Sequence, residues 1–352
     1  MPTDHPSHPT LAALATAVPR HVLSQDDVRT VGERLFHADF RDLDRMLAVY
    51  PNAGIERRYS CVPLEWYLNE HSFGERNALY IENAVALLEE AAAQSLDQAG
   101  LTPGDIDIIV VVSTSGIATP SLDALLMETM PFRRDVMRLP IFGLGCAGGV
   151  IGLSRAAAMA RAHPGARVLY LCVELCGLTF RHLDRSKSNF IATALFGDGA
   201  AAAVIATDID GAAMTHWGEH TWPQSLDIMG WNIVDDGFGV LFSRDIPAMV
   251  RQEFRRVTED YLSNQAIGLD DIDAFLCHPG GAKVVAALED ALDLGPDALA
   301  LSRETLRDYG NMSAATVLFV LARALDQGKP GRCLLSSLGP GFSAGFLTLD
   351  AA

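Results

Sequence analysis

Phe142-Gly143-Leu144-Gly145-Cys146-Ala147-Gly148-Gly149 stands between an apolar run, Met137 to Phe142, that reads as a strand and an Ala-rich run, Val150 to Ala162, that reads as a helix. A thiol at such a strand-to-helix turn points at the positive end of the helix dipole, which favours thiolate over thiol. The flanking glycines let backbone and substrate approach closely. Two later segments offer polar helpers: His278 in Phe275-Leu276-Cys277-His278-Pro279-Gly280-Gly281, and Asn311 in Tyr309-Gly310-Asn311-Met312-Ser313. Each stands at the end of a buried run, and with Cys146 they make a nucleophile with two polar partners. Cys277 precedes His278 in the same strand, so it should face the other way, into core. Asn311 also has the position of a helix N-cap for Ser313 to Gln327, a duty compatible with chemistry.

The runs Ile108 to Val112, Val168 to Cys172 and Ala200 to Ile205 are continuously apolar, as strands covered by helices on both faces are. Gly100-Leu101-Thr102-Pro103-Gly104-Asp105-Ile106-Asp107 and Gly268-Leu269-Asp270-Asp271-Ile272-Asp273 look like copies about 166 positions apart. Each follows a helical stretch (Ile81 to Ala99; Met249 to Ala266) and leads into a strand. Gly197-Asp198-Gly199-Ala200 and Gly339-Pro340-Gly341 likewise each open an apolar run. Two similar α/β halves follow, 1–209 and 210–352, meeting near Asp208 to Gly211 and packed as one body, since no linker rich in Pro, Gly or Ser separates them. Ser24-Gln25-Asp26-Asp27 has the spacing of a capping box and marks the first helix after the strand Leu11 to Val18.

The chain has 352 residues, 49% of them hydrophobic, enough for two core-forming units. A net charge of −17 argues against nucleic acid as a partner, because phosphate neutralisation needs clustered Lys and Arg. Nowhere do eighteen apolar residues run together, so no membrane-spanning helix is expected. No secretory signal is expected either, because the modest apolar stretch Leu11 to Val18 lacks a basic start. Six cysteines without a framework spacing suggest a reducing, cytoplasmic compartment, and Cys172 and Cys176 lack the second pair that a zinc site needs, so no metal is expected.

The chain resembles the type III polyketide synthases, homodimeric thiolase-fold enzymes whose plant members include chalcone synthase. The resemblance rests on Ala15-Thr16-Ala17-Val18-Pro19, Arg57-Arg58-Tyr59, the Gly143 to Gly149 turn, Leu195-Phe196-Gly197-Asp198-Gly199-Ala200, His278-Pro279-Gly280-Gly281, Gly310-Asn311-Met312-Ser313-Ala314-Ala315 and Gly339-Pro340-Gly341, all in order along nearly the whole chain. It implies a duplicated, layered αβαβα fold with mixed sheets flanked and separated by helices. It also implies that Cys146 accepts the acyl group, and that His278 and Asn311 serve acyl loading and malonyl decarboxylation. The chemistry is consistent with that division: loss of carbon dioxide from a malonyl thioester leaves an enolate, whose oxyanion needs preorganised donors such as an imidazole N–H and a carboxamide NH₂.

The same resemblance implies a substrate cavity lined by Phe196 as aromatic gatekeeper, Val240 where a second Phe is usual, Thr179, Ser313, and Trp231 where plant enzymes carry glycine. Coenzyme A phosphates would meet Arg45, Arg57 and Arg58 at the tunnel mouth, guanidinium forks being suited to phosphate. Acyl-CoA and malonyl-CoA would be the substrates, with no resident cofactor. The loop after Thr114-Ser115-Gly116 would reach the partner's cavity in a homodimer, with Thr119 replacing the usual methionine. The Gly-Leu-Gly-Cys-Ala-Gly-Gly motif is similar to that of alkylpyrone and alkylresorcinol synthases, implying a medium- or long-chain fatty acyl starter. Three alternatives stay open: a ketoacyl synthase making one condensation on a carrier protein, a papain-like cysteine hydrolase, and a catalytically silent partner subunit.

Overall fold

The computed structural model describes residues 8–39, 42–328 and 331–351. Its strands are β1 (Thr10–Ala17), β2 (His21–Ser24), β3 (Arg57–Ser60), β4 (Ile108–Val112), β5 (Met137–Ile141), β6 (Val168–Leu175), β7 (Asp198–Ala206), β8 (Ala212–Thr221), β9 (Met229–Val234), β10 (Gly237–Phe242), β11 (Ala274–Cys277), β12 (Gly331–Gly339) and β13 (Ser343–Ala351). Its helices are α1 (Gln25–Phe36), α2 (Leu43–Leu47), α3 (Val49–Asn52), α4 (Phe73–Ala99), α5 (Leu122–Thr129), α6 (Gly148–Ala162), α7 (Lys187–Leu195), α8 (Ile246–Ser263), α9 (Ala282–Leu292), α10 (Ala300–Tyr309) and α11 (Thr316–Asp326). As continuous apolar runs require, β4, β6 and β7 are buried at every position.

One sheet runs β11-β12-β13-β8-β1-β7-β6-β4-β5. Its centre is a short seam, where β1 meets β8 only through Thr10 opposite Ala213 and Leu11 opposite Ala212. Outward from the seam the order repeats: β1-β7-β6-β4 on one side and β8-β13-β12-β11 on the other, antiparallel at the first two steps and parallel at the third. The repeated Asp-Ile-Asp segments explain themselves here. Asp105 and Asp271 each accept a backbone N–H three residues back, from Thr102 and Gly268, both at 2.8 Å. Asp107 and Asp273 then each pin the neighbouring strand by accepting the amides of Arg167 and Arg332, at 2.8 and 2.7 Å.

Helix limits differ from the sequence reading. α4 starts at Phe73 rather than Ile81, because Ser72 and Glu75 form a reciprocal capping box ahead of the apolar stretch. α8 stops at Ser263 rather than Ala266, where the chain turns with Ala266 at φ +55°. Ser24 caps α1 as expected, accepting the Asp27 amide. α6 and α11 lie between the two sheet halves in one continuous apolar core, α4 and α5 cover the outer face of the first half, and α8 and α9 that of the second. The result is the layered α/β arrangement expected, with α6, the helix that follows the glycine-rich turn, buried among residues of both halves.

Candidate active site

Cys146 sits in a single 3-10 turn, Gly145–Ala147, that opens directly into α6. The turn is possible because Gly145 adopts φ +47°, and a Cβ there would lie 2.6 Å from the ring of Pro340. Gly149 has a packing duty instead: a Cβ on it would meet the Ala314 carbonyl at 2.2 Å, so its bareness lets α6 touch the segment that carries Asn311 and Ser313. The Gly145 amide is held by Thr114 Oγ1 at 3.1 Å.

Asn311 follows α10 and is 1% exposed. Its Oδ1 accepts the Ser313 amide at 2.8 Å and its Nδ2 donates to the Gly280 carbonyl at 3.1 Å, tying it to the loop just past His278. The N-cap role read from sequence is not the one it takes: Met312 occupies the N-cap of the 3-10 turn Ser313–Ala315 and Ala315 that of α11, so Asn311, one residue earlier, braces the turn only through its contact with the Ser313 amide. His278 leaves β11 with its amide on Ser336 O at 2.8 Å. Its ring is buried, and among the described residues neither ring nitrogen has a hydrogen-bond partner. Burial pushes its pKa down to about 3, so the imidazole is neutral at physiological pH, one nitrogen free to donate and the other to accept. Cys277 faces the opposite side, 1% exposed in the core beneath α8 and α9.

The side chains of Ser313 and Asn311 both act on the Cys146 thiol to lower its pKa. Ser313 reaches it from φ +47°, a left-handed conformation that strains a residue with a Cβ and concentrates at functional sites. The expected thiolate is not the resting form: burial raises the Cys146 pKa to about 12, outweighing the hydrogen bonds that lower it. The local dipole argument is overruled because desolvation of an anion costs more than one helix terminus returns. Glu174, at the end of β6, adds to the rise. It is wholly buried, accepts the Thr114 amide at 3.1 Å, and desolvation raises its own pKa to about 7. Sequence reasoning passed over Glu174 and weighed Cys176 only as a metal ligand; the available signal was a carboxylate interrupting the apolar run Leu171-Cys172-Val173-Glu174-Leu175.

Two cavities meet at this point. The first is lined by Cys146, Ser313, Trp231 and Phe242. The second, about 580 Å³ with its open mouth included, is walled by Leu23, Val28, Val31 and Leu35 around α1, and by Thr179 and Val240. Phe196 and Cys176 line both, so the Phe196 ring stands at the junction. Trp231 holds that ring edge-on at 6.0 Å between centroids and is anchored by its indole N–H on the Thr114 carbonyl at 3.1 Å. Thus Phe196, Trp231, Val240, Thr179 and Ser313 all border cavity space, whereas Thr119 is exposed and off both cavities.

The three arginines part company. Arg45 is exposed on α2, and Arg57 is exposed with a loose pairing to Asp308 at 3.8 Å. Arg58 does not stand at a tunnel mouth for phosphate. It is 3% exposed and its guanidinium is committed to the carbonyls of Thr193, Ala194 and Phe196 and to Gln25. The Arg-Arg-Tyr spacing could not reveal this, because β3 alternates sides and turns only one of the two arginines outward.

Residues 5–209 match the family model for the N-terminal domain of chalcone and stilbene synthases, and residues 216–345 that for their C-terminal domain. The 1,3,6,8-tetrahydroxynaphthalene synthase of Streptomyces peucetius subsp. caesius is 39% identical over 97% of this chain and 92% of its own. The phloroglucinol synthase of Pseudomonas fluorescens is 28% identical over 95% of this chain and 97% of its own. Among solved structures, the tetrahydroxynaphthalene synthase of Streptomyces coelicolor A3(2), a bacterial type III polyketide synthase, superposes with a TM-score of 0.93 at 30% identity over 97% of this chain and 99% of that one. With a buried cysteine at a helix start, a carboxamide acting on its thiol and the matched sequence spanning both halves, the chain belongs to the chalcone and stilbene synthase family, as a type III polyketide synthase performing decarboxylative Claisen condensation.

Proposed function

We propose that this enzyme primes itself with a medium- or long-chain fatty acyl-CoA and extends it with malonyl-CoA to an alkylpyrone or alkylresorcinol. The observation that carries this reading is the apolar cavity beneath α1, which adjoins the nucleophile's cavity across Phe196 and Cys176 and offers an alkyl chain Leu23, Val28, Val31 and Leu35 as neighbours. In the proposed cycle the Cys146 sulfur attacks the starter's thioester carbonyl and coenzyme A leaves as the thiol. Malonyl-CoA loses carbon dioxide, and the enolate oxygen is held by donors on His278 and Asn311. The enolate carbon then displaces the Cys146 sulfur from the acyl carbonyl, giving a β-ketoacyl-CoA and freeing the thiolate for reloading.

Arg45 and Arg57, both exposed, are the remaining candidates for coenzyme A phosphate. The working unit is proposed to be a homodimer in the cytoplasm, its two halves 1–209 and 210–352. Support for the dimer comes from exposed apolar side chains at Met137 in the edge strand β5, at Phe142 just past its end, and at Ile117 in the loop that carries Thr119. Support for the compartment comes from six free, buried cysteines. Among the described residues no helix is long and apolar enough to cross a membrane.

A second reading, a naphthalene tetrol built from malonyl units alone, is favoured by the 39% identity to the tetrahydroxynaphthalene synthase of Streptomyces peucetius. Incubation with malonyl-CoA, with and without a panel of acyl-CoAs, separates the two by product mass. Products carrying the alkyl chain are expected; a naphthol from malonyl-CoA that is unchanged by added starters would replace the first reading with the second.

A further inference from the structure

Arg58 is a buried cation spent on neutral acceptors. Its Nη1 donates to the carbonyls of Thr193 at 2.8 Å and Phe196 at 3.0 Å, and its Nη2 to the Ala194 carbonyl at 3.0 Å and to the Gln25 side-chain oxygen. These are carbonyls at the C-terminal end of α7, which have no partner further along the helix and carry its negative dipole end. Gln25 adds a second clamp, donating to Ala194 O at 3.1 Å and Tyr50 O at 2.9 Å.

The clamped turn holds two parts of the site at once. Phe196 is the ring shared by the two cavities. The next residue, Gly197, donates its amide to the Asn311 carbonyl at 3.0 Å, while the Asn311 amide donates to Leu195 O at 2.8 Å, so Phe196 and Asn311 form a parallel bridge. A Cβ on Gly197 would sit 2.4 Å from the Tyr309 carbonyl and 3.4 Å from Arg58 Cβ, which leaves this junction no slack. Any rotation of the α7 terminus therefore moves the gate ring and the Asn311 backbone together.

We propose that Arg58 is a positioning residue which, by locking the carbonyls of Thr193, Ala194 and Phe196, sets both the gate between the two cavities and the placement of Asn311, and so couples starter selection to malonyl decarboxylation. Burial lowers its pKa only to about 10, so the guanidinium stays charged at working pH. Lysine would keep the charge but lose the planar fork that serves several carbonyls simultaneously. The proposal rests on the reading of the α1 cavity as an acyl-chain pocket, and its test is built so that each can fail alone.

The test compares wild type with Arg58→Lys and with the milder Gln25→Ala, each first checked for fold by circular dichroism and for active sites by titrating Cys146 with an alkylating agent. Two quantities are read per active site: the ratio of kcat/KM for long- against short-chain acyl-CoA, and the rate of carbon dioxide release from malonyl-CoA. Arg58→Lys is expected to change the ratio by about 10-fold or more and to lower carbon dioxide release by a similar factor through kcat rather than KM. Gln25→Ala is expected to move both in the same direction by less. An unchanged per-site value of either quantity in folded Arg58→Lys would overturn the proposal. Should Arg58→Lys not fold, unchanged values in Gln25→Ala overturn it. If wild type accepts no long chain, the acyl-pocket reading fails, and carbon dioxide release alone decides the role of Arg58.

Discussion

The carboxamide of Asn311 is turned by its neighbours: the Ser313 amide donates to its oxygen at 2.8 Å, and its nitrogen donates to Gly280 O at 3.1 Å. One N–H remains to face the thiol and, in turn, an enolate oxygen. Asn311→Asp keeps the shape and the Ser313 contact but replaces the NH₂ by an acceptor aimed at a carbonyl. Malonyl decarboxylation, followed as carbon dioxide release, is expected to fall ~100-fold or more, the usual cost of one oxyanion donor, while the thermal unfolding transition stays cooperative.

Because burial holds the Cys146 pKa near 12, the free enzyme presents a thiol at neutral pH. Its alkylation by iodoacetamide is expected to rise through pH 9 without reaching the plateau of an ordinary cysteine. The Ser313 hydroxyl lowers that pKa, so Ser313→Gly should slow alkylation further. The same substitution removes a Cβ from φ +47° and should not lower the melting temperature. A plateau below neutral pH would contradict the burial argument.

Glu174 makes stability fall with pH. Its folded-state pKa is raised from 4.5 to about 7 by desolvation, so its favourable contribution is complete below pH 4.5 and is lost as pH rises through 7. Glu174→Gln cannot ionise. Chemical denaturation of both proteins should show wild type losing on the order of 3 kcal/mol relative to the variant between pH 4.5 and 8. A difference independent of pH would show that Glu174 is not held protonated in the fold.

Phe142 is 57% exposed at the end of the edge strand β5, beside the nucleophile turn. A charge there should be tolerated by a monomer but not by an apolar self-association surface. Phe142→Asp is expected to shift sedimentation from dimer to monomer and to reduce turnover, with circular dichroism unchanged. A dimer retained at low micromolar concentration would remove β5 from the interface.

Filling the α1 cavity tests what it holds. Val28→Trp adds bulk at a position lining that space and outside the nucleophile's own cavity. The expected result is a loss of kcat/KM for long-chain starters of at least ~10-fold with short starters spared, since overpacking penalises only the group that must share the space. Equal loss for all starters would indicate damage to the fold, which the melting temperature would reveal.

Those features that depend on neighbours in sequence were open to reading from the chain alone. The glycine-rich turn around Cys146, the continuous apolar strands β4, β6 and β7, the cap at Ser24 and the recurring Asp-Ile-Asp segments are local patterns, fixed by backbone sterics and by burial on both faces of a sheet. Three matters were decided only when distant segments met. Arg58 became a strut because its partners lie at the end of α7, more than a hundred positions away in sequence. Cys146 rests as a thiol because desolvation, a property of everything packed around it, outweighs the field of one helix end. Phe196 became a boundary because the cavities it divides are formed by α1, β10 and the nucleophile turn together. Charge state, side-chain destination and empty space are sums over the whole packed neighbourhood, and no stretch of sequence contains that sum.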